Sequence, residues 1–403
     1  MNNVDFNEVV DFLEGPGVRK WQFTQNGVKL INIRNIVNSK IDLSNTDKHL
    51  SHEEVNDKYQ HFLLKEGDFV MASSGATWGK IAEIGEEHLP LCLNTSIIRL
   101  KPKNEKLERR FLWHFIKSSL FTRQIDRLIT GSAQPNFGPS HLNKISIPLP
   151  SPESQKYIIS ILDDAETLRI STAQLLKEYD LLAQSIFLEM FGDPVINPKS
   201  WEVQKLKELS TKIGSGNTPK GGSKVYVKKG IPFFRSQNVW RNNLLMNDIA
   251  FIDQATHTSM KKSSLKNGDI LMTKTGRVNT ENSSLGRAAM YLGEDDKANL
   301  NGHVYLIRLK KEVINEYLLF ILTTNQYREY IRRVCVGGID KRQLNKNHLE
   351  EFPIIYPPLK LQKEFTEKLA LIEQQKELAK QELKESEDLF NCLLQKAFKG
   401  ELV

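Results

Sequence analysis

The chain contains itself twice, which limits it to folds that can be built in two copies. Shifted by 207 residues, the segment from Gly131 to Phe191 aligns without a gap on Gly338 to Phe398, with 15 identities over 61 positions. Average composition would give about a quarter as many. His141-Leu142 falls on His348-Leu349, Pro150 on Pro357, Gln155-Lys156 on Gln362-Lys363 and Lys177-Glu178 on Lys384-Glu385. A tandem duplication of this size implies two equivalent modules in a pseudo-twofold relation. Such a molecule suits a two-part target or two copies of a partner.

Upstream of the gap-free segment the framework repeats while the loops diverge. Val28 to Ile36 and Ile231 to Val239 are β-branched runs that predict strands, and each ends in Asn plus a β-branched residue. Gly67-Asp68 and Gly268-Asp269 are tight turns before apolar runs. The polar loops that follow read ATWGKIA in one half and RVNTENSSLGRAAM in the other. Thr95 to Leu100 and Val304 to Leu309 predict a further strand pair, with Arg99 and Arg308 before the final Leu. Helical stretches are expected over Glu108 to Ile125 and Asn315 to Val334, each running to a glycine turn. Each module therefore reads as α+β. Two copies of one scaffold with different loops suit two different ligands.

After Pro150-Ser151-Pro152 and Pro357-Pro358 the pattern changes to helical spacing. Ile158, Leu162, Ala165, Leu176, Tyr179, Ala183, Ile186 and Met190 form one stripe. Phe365, Leu369, Ile372, Ala379, Leu383, Phe390, Leu393 and Ala397 form the other. The steps are close to a heptad seam on helices of about 35 residues, roughly 50 Å long. An exposed stripe of that length must pair. The simplest pairing is of the two helices with each other, antiparallel and coiled-coil-like; packing of each on its own module is the alternative. Phe191-Gly192-Asp193-Pro194 ends the first helix.

A net charge of +7 favours a polyanion, most often nucleic acid. Basic residues gather between positions 200 and 345, among them Lys220, Arg235, Lys274, Arg277, Arg287, Lys341 and Arg342. No run of about 18 apolar residues predicts a membrane span, and the acidic N-terminus lacks a signal-peptide core. Cys92, Cys335 and Cys392 lack metal-ligand spacing and read as reduced thiols of a cytoplasmic protein. Gly222 stands where the lysine of a phosphate loop would have to be. No zinc pattern, dinucleotide fingerprint or methyltransferase motif occurs. Neither a metal nor a cofactor is expected, and the two His-Leu pairs read as structural. The chain reads as a binding protein with no catalytic residues.

Several segments resemble the specificity subunits of type I restriction-modification systems. They are Gly131-Ser132-Ala133-Gln134-Pro135-Asn136-Phe137, Leu149-Pro150-Ser151-Pro152-Glu153-Ser154-Gln155, Phe191-Gly192-Asp193-Pro194 with Asn197-Pro198 and Trp201-Glu202-Val203, and Ala397-Phe398-Lys399-Gly400-Glu401-Leu402. The resemblance implies target recognition domains at 1–150 and 193–358, each reading one half of a split sequence in double-stranded DNA. Long helices at 151–192 and 359–403 would set the spacer and dock methyltransferase subunits, with a separate ATP-dependent restriction subunit. Two departures stand out. No Trp-Glu opening precedes Phe6, so the first module's opening strand is expected to be short or missing. The second glycine turn reads Gly337-Gly338-Ile339-Asp340-Lys341-Arg342.

Candidate DNA contacts in the first module are Arg34, Ser74, Trp78, Lys80, Gln134 and Asn136. In the second they are Lys220, Arg235, Gln237, Lys274, Thr275, Arg277, Arg287, Lys341 and Arg342. Gln and Asn can bond adenine bidentately, and Lys reaches guanine acceptors. Trp78 packing under its loop is the competing reading. Ile158, Leu162, Leu176, Ile186, Phe365, Leu369, Leu383 and Leu393 are the candidate helix-pairing residues. A two-module protein-binding scaffold is the alternative, but it leaves the basic loops of the second module unexplained. A standalone regulator would need a helix-turn-helix or zinc motif.

Overall fold

The structure is a computed structural model that describes residues 2–44, 46, 48–129, 135–277, 282–338 and 341–402. The chain forms two compact units, Met1–Gln174 with Ala379–Val403, and Leu175–Leu378. Both are built from the same parts.

In the first unit a four-stranded antiparallel sheet runs in the order Val10–Glu14, Ile97–Pro102, Phe69–Ala72, Ile81–Glu83. A second sheet holds His49–Leu50, Val28–Leu30 and Leu91–Cys92, with a parallel pair Lys29↔Leu91. The second unit repeats this: Ser210–Ser215, Val304–Leu309, Ile270–Thr273, Ala288–Met290 in the larger sheet, and Ala250–Ile252, Ile231–Phe234, Asn299–Leu300 in the smaller. Its parallel pair is Phe233↔Asn299.

The first module's opening strand is present, against the expectation from the missing Trp-Glu. Asn2–Asp5 pairs antiparallel with Ser146–Leu149, as Val203–Lys205 pairs with Pro353–Ile355. Backbone pairing closes the module in both copies, so the strand needs no tryptophan.

Two expected elements are shorter, and side-chain hydrogen bonds explain why. The strands at 28 and 231 stop at Leu30 and Phe234 and give way to single 3-10 turns. Buried Asn35 and Asn238 accept from the backbone N–H of Asn32 (2.8 Å) and Arg235 (3.0 Å), which folds the chain back. This is the physical content of the repeated Asn plus β-branched pair. Each expected single helix is also two: Arg109–Lys117 and Ser119–Leu128, Asn315–Thr323 and Asn325–Val334. Ser118 and Thr324 have extended backbones, and their hydroxyls accept from the N–H of Phe121 and Tyr327, starting a new helix.

The Gly-Asp turns form as read. Gly67 and Gly268 have φ of +79° and +84°, and the Asp68 and Asp269 carboxylates accept from the N–H of Lys65 and Lys266.

The long helices are Pro152–Phe191 and Leu359–Lys399, 40 and 41 residues. Each contributes a stretch to both units. Within the second unit Lys376 meets Asp180 at 2.7 Å, while Phe365 meets Phe187 and Phe191 at ring distances of 5.3 and 5.6 Å. As one number rises the other falls, so the pair is antiparallel. In the first unit Ile158, Leu162 and Ala165 share a core with Phe390, Leu394, Ala397 and Phe398.

The buried stripe is rotated from the expected one towards the helix ends. Ile186 and Leu393 are only partly buried, and their neighbours Phe187 and Leu394 lie deeper, with Phe191 and Phe398 one turn on. There the helices pack on a module core as well as on each other, and large aromatics fill that wider space. Leu176, Leu369 and Leu383 are partly buried, while Phe365 is fully so. No helix among the described residues is long and apolar enough to cross a membrane.

Candidate nucleic-acid interface

Each large sheet delivers its second loop pair to one end. In the first module Phe137 donates its N–H to Ser73 O at 3.0 Å, Ser74 forms a bridge with Asn136, and Gly75 donates to Pro135 O. In the second, Leu344 donates to Lys274 O at 2.8 Å, and Thr275 and Gly276 pair with Gln343 and Arg342. Phe137 and Leu344 are 207 residues apart, so the two frames are the same frame. It brings Ser74 and Asn136 together in one module, and Thr275, Arg277, Lys341 and Arg342 in the other. A cleft of about 390 Å³ in the second module is lined by Thr275, Arg277, Ser283 and Lys341. Polar donors, hydroxyls and cations converge there, as contact with a base edge or phosphate requires.

The individual candidates divide. Lys80, Asn136, Lys220, Gln237, Arg277 and Lys341 are exposed. Arg34 is exposed on its surface turn, outside the loop frame. Gln134 lies outside the described residues. Trp78 packs edge-on against Phe137 at 5.6 Å, beneath the first loop, which favours the packing reading. Arg235 donates to the carboxylate and carbonyl of Asp248 and lies over Tyr226, while Gln237 donates to the same carboxylate at 3.1 Å. Lys274 is half-buried over the Tyr305 ring at 4.4 Å and donates to the Ser215 hydroxyl, and burial pushes its pKa down. Arg342 donates to Arg332 O at 3.1 Å.

Arg287 departs most from its expected role. It is buried, stacks on Trp240 with Cζ 3.6 Å from the ring centre, and donates to the carbonyls of Asn282 and Ser283. Its guanidinium is committed to its own loop and is not offered as a direct DNA contact. Thr273 donates to Arg287 O as Ala72 donates to Lys80 O, so the exposed Lys80 is its counterpart. Sequence reasoning missed Trp240 because nothing in its spacing ties it to a loop 47 residues on.

The repeated histidines are structural. His141 and His348 accept on Nδ1 from the N–H of Gly138 (3.1 Å) and Asn345 (3.4 Å), capping short helices.

A second polar cluster lies where the first long helix meets Arg109–Lys117. Arg110 bonds Asp163 at 2.6 Å, Lys117 bonds Glu166 at 2.5 Å, and fully buried His114 meets Asp163 at 2.8 Å. Ligand atoms of His114, Asp163 and Glu166 come within 4.8 Å of one another, a spacing that a metal ion could use. Arg110 and Lys117 already satisfy both carboxylates, while the buried Nδ1 of His114 has no hydrogen-bond partner. Burial pushes the Glu166 and Asp163 carboxyls up, but the bonded cations hold both below the usual range. Burial drives His114 below its ordinary value, against the pull of Asp163.

One framework built twice, each copy carrying its own polar loop pair, makes this a two-module protein. The chain belongs to the family of the type I restriction modification DNA specificity domain, whose model matches residues 1–178 and 198–387. It is similar to the MjaVIII specificity subunit of Methanocaldococcus jannaschii, 32% identical over 168 residues, a match spanning 41% of this chain and 39% of that relative. It is 23% identical over 395 residues to the EcoKI specificity subunit of Escherichia coli strain K12, covering 93% and 82% of the two. Its fold matches a chain from a structural study of complex assembly and conformational transition of the type I R-M system. The TM-score is 0.59 at 19% identity, covering 99% and 98%. Specificity subunits are the non-catalytic components of these systems.

Proposed function

We propose that the chain reads a bipartite double-stranded DNA target, one half-site per module. In this reading its long helices dock methyltransferase subunits and set the spacer, and an ATP-dependent restriction subunit completes the enzyme. The observation that carries the proposal is the shared loop frame, Ser73–Phe137 in one module and Lys274–Leu344 in the other, with different side chains mounted on it. A common frame gives both modules the same approach to a duplex, and the unlike loops give them different sequences to read.

The test is to co-express the chain with a type I methyltransferase subunit and map methylated adenines genome-wide. Lys80→Ala is expected to relax one half-site at one or two positions and leave the other half and the spacer intact. Discrimination lost at a single base pair is worth about 1–3 kcal/mol. Equal relaxation in both halves would contradict the assignment of one module to each.

A further inference from the structure

Four of the five tryptophans have a packing or bonding role. Trp113 is buried, Trp78 lies on Phe137, Trp201 donates to Phe191 O at 2.9 Å and Trp240 stacks with Arg287. Trp21 has none of these. It is 78% exposed, the most exposed large apolar side chain among the described residues, and its indole packs on no other ring there. The turn that carries it is held firmly. Gln22, buried beside it, accepts from the N–H of Arg19 at 2.7 Å and donates to the Glu54 carboxylate at 2.6 Å and the Tyr59 hydroxyl at 2.8 Å. Arg19 and Lys20 complete the exposed face of the turn, and among the described residues neither has an ion-pair partner. Glu54, the carboxylate held against the turn, is engaged by the Gln22 amide.

The segment leading to this turn leaves the large sheet at the end that carries the loop frame. Gly15 donates to Ile97 O at 3.0 Å, Ser73 donates to Ser96 O at 2.9 Å, and the Thr95 hydroxyl donates to Pro16 O at 2.8 Å. Ser73 is the frame residue whose carbonyl accepts from Phe137. A Cβ on Gly15 would come within 2.3 Å of Asn94 O, so the close crossing there requires glycine. The second module builds the same crossing: Gly216 donates to Val304 O at 3.0 Å, and a Cβ on it would meet Asn301 O at 2.1 Å. The turns correspond as well. Phe23 donates to Lys20 O and Thr24 bridges to His49 in one copy; Tyr226 donates to Ser223 O and Val227 bridges to Phe251 in the other. That match sets the exposed Lys224 in the place of Trp21. One framework thus presents an indole beside two cations in one module and a cation in the other. A large aromatic left in water on a firmly held turn marks a contact surface. The flanking cations and the continuity with the loop frame point to a partner with apolar groups set between phosphates, which is the surface of a duplex.

We propose that Trp21 is a DNA contact of the first module: its indole packs on apolar surface at the edge of the first half-site, such as a thymine methyl, while Arg19 and Lys20 take the neighbouring phosphates. The inference rests on the DNA-recognition reading and adds a residue and an asymmetry to it. At the matched point of the second module Lys224 makes a phosphate contact, which positions the duplex but carries no sequence information. The first module gains an apolar reading contact there and the second gains affinity only.

The experiment measures DNA affinity against salt, and maps methylated adenines, for the methyltransferase assembled with wild-type chain, Trp21→Ala, Trp21→Lys, Arg19→Ala with Lys20→Ala, and Lys80→Ala. An apolar contact releases no counterions. Trp21→Ala is therefore expected to weaken binding about tenfold with an unchanged salt slope, and to relax the first half-site at one position while the second half stays intact. The Arg19/Lys20 variant is expected to lower the slope by about one to two. Trp21→Lys copies a side chain that the matched turn already carries, so the fold tolerates it; it is expected to raise the slope by about one without restoring the lost preference. If Trp21→Ala binds within about twofold of wild type with an unchanged map, while Lys80→Ala still relaxes the first half, the Trp21 contact is wrong and the DNA reading stands. If Trp21→Ala keeps its DNA affinity but loses co-purification with the methyltransferase subunit, the turn is a protein-docking surface and the proposal is overturned. If Trp21→Ala and Lys80→Ala are both silent and the assembly shows no preference for DNA, the DNA reading falls with it.

Discussion

His114 shows how far one side chain can separate two copies of the same module. It sits fully buried with Nε2 on Asp163, inside a network that also holds Arg110, Lys117 and Glu166. In the second module the equivalent helix position is Phe320, and the residue facing it across the helices is Ala183 where the first module has Phe390. A cavity of about 450 Å³ opens there, lined by Phe320, Ala183, Glu316, Glu373 and Lys376 among others. The first copy fills this place with Phe390 and the His114 network, and the second leaves a cavity lined by the Asp180, Lys376 and Glu373 ion group. A pH signature follows. The folded pKa of His114 lies below its ordinary 6.5, so the unfolded chain takes up a proton that the buried ring refuses. The His114 contribution to stability is therefore full above pH 6.5 and is lost as pH falls below it, by up to about 1.4 kcal/mol per pH unit. The depressed Asp163 and Glu166 act lower, their contribution falling away as pH drops through the carboxylate range. His114→Phe, copying the other module, is expected to flatten the unfolding midpoint of this unit between pH 6.5 and 5.5. Equal slopes for variant and wild type would show that another group carries the dependence.

At the scale of elements, the long helices expose apolar side chains that neither seam nor module covers. In the second unit Leu371 and Leu378 are 64% and 56% exposed and seven residues apart, and Leu181 on the first helix is 59% exposed. In the proposed reading this exposed leucine stripe is the surface on which the methyltransferase subunit docks. Leu371→Glu with Leu378→Glu is expected to leave the fold intact and weaken capture of the methyltransferase subunit at least tenfold, each leucine being worth about 1.5–3 kcal/mol when buried. Undiminished co-purification with an unchanged circular dichroism spectrum would place the partner elsewhere. The helices, the Gly-Asp turns and the doubled framework were legible in the sequence because periodicity and repetition are local signals. The seam at Phe187 and Leu394 was not: which face of a long amphipathic helix lies deepest depends on the module it meets, and that contact is long-range. The breaks at Ser118 and Thr324 were readable in principle, since a Ser or Thr in a helical run that aligns between copies is a cap signal. Of the loop residues, exposure separated Lys80 and Lys341 from Arg287, and only a folded neighbour such as Trp240 could have revealed that difference.

At the scale of the whole molecule, if the two modules read half-sites as proposed, something must set the distance between them. The two long helices are 40 and 41 residues, so each is roughly 60 Å long at 1.5 Å per residue. Their antiparallel register, fixed by Lys376 on Asp180, makes Lys177 and Leu378 nearly facing points. Four residues inserted after each would add about 6 Å to the pair and keep its apolar stripe close to phase, because four residues are a little more than one turn. At about 3.4 Å per base pair this corresponds to one or two base pairs of DNA. The expected result is a spacer longer by one or two positions between half-sites whose sequences do not change, read from methylated adenines in cells carrying the altered chain. Insertion into one helix alone is expected to break the Asp180–Lys376 register and cost assembly, because the seam can then satisfy only one side of the insertion. A spacer that stays constant in the double insertion, with methylation retained, would mean that the helices serve docking and that the partner subunits hold the half-sites apart.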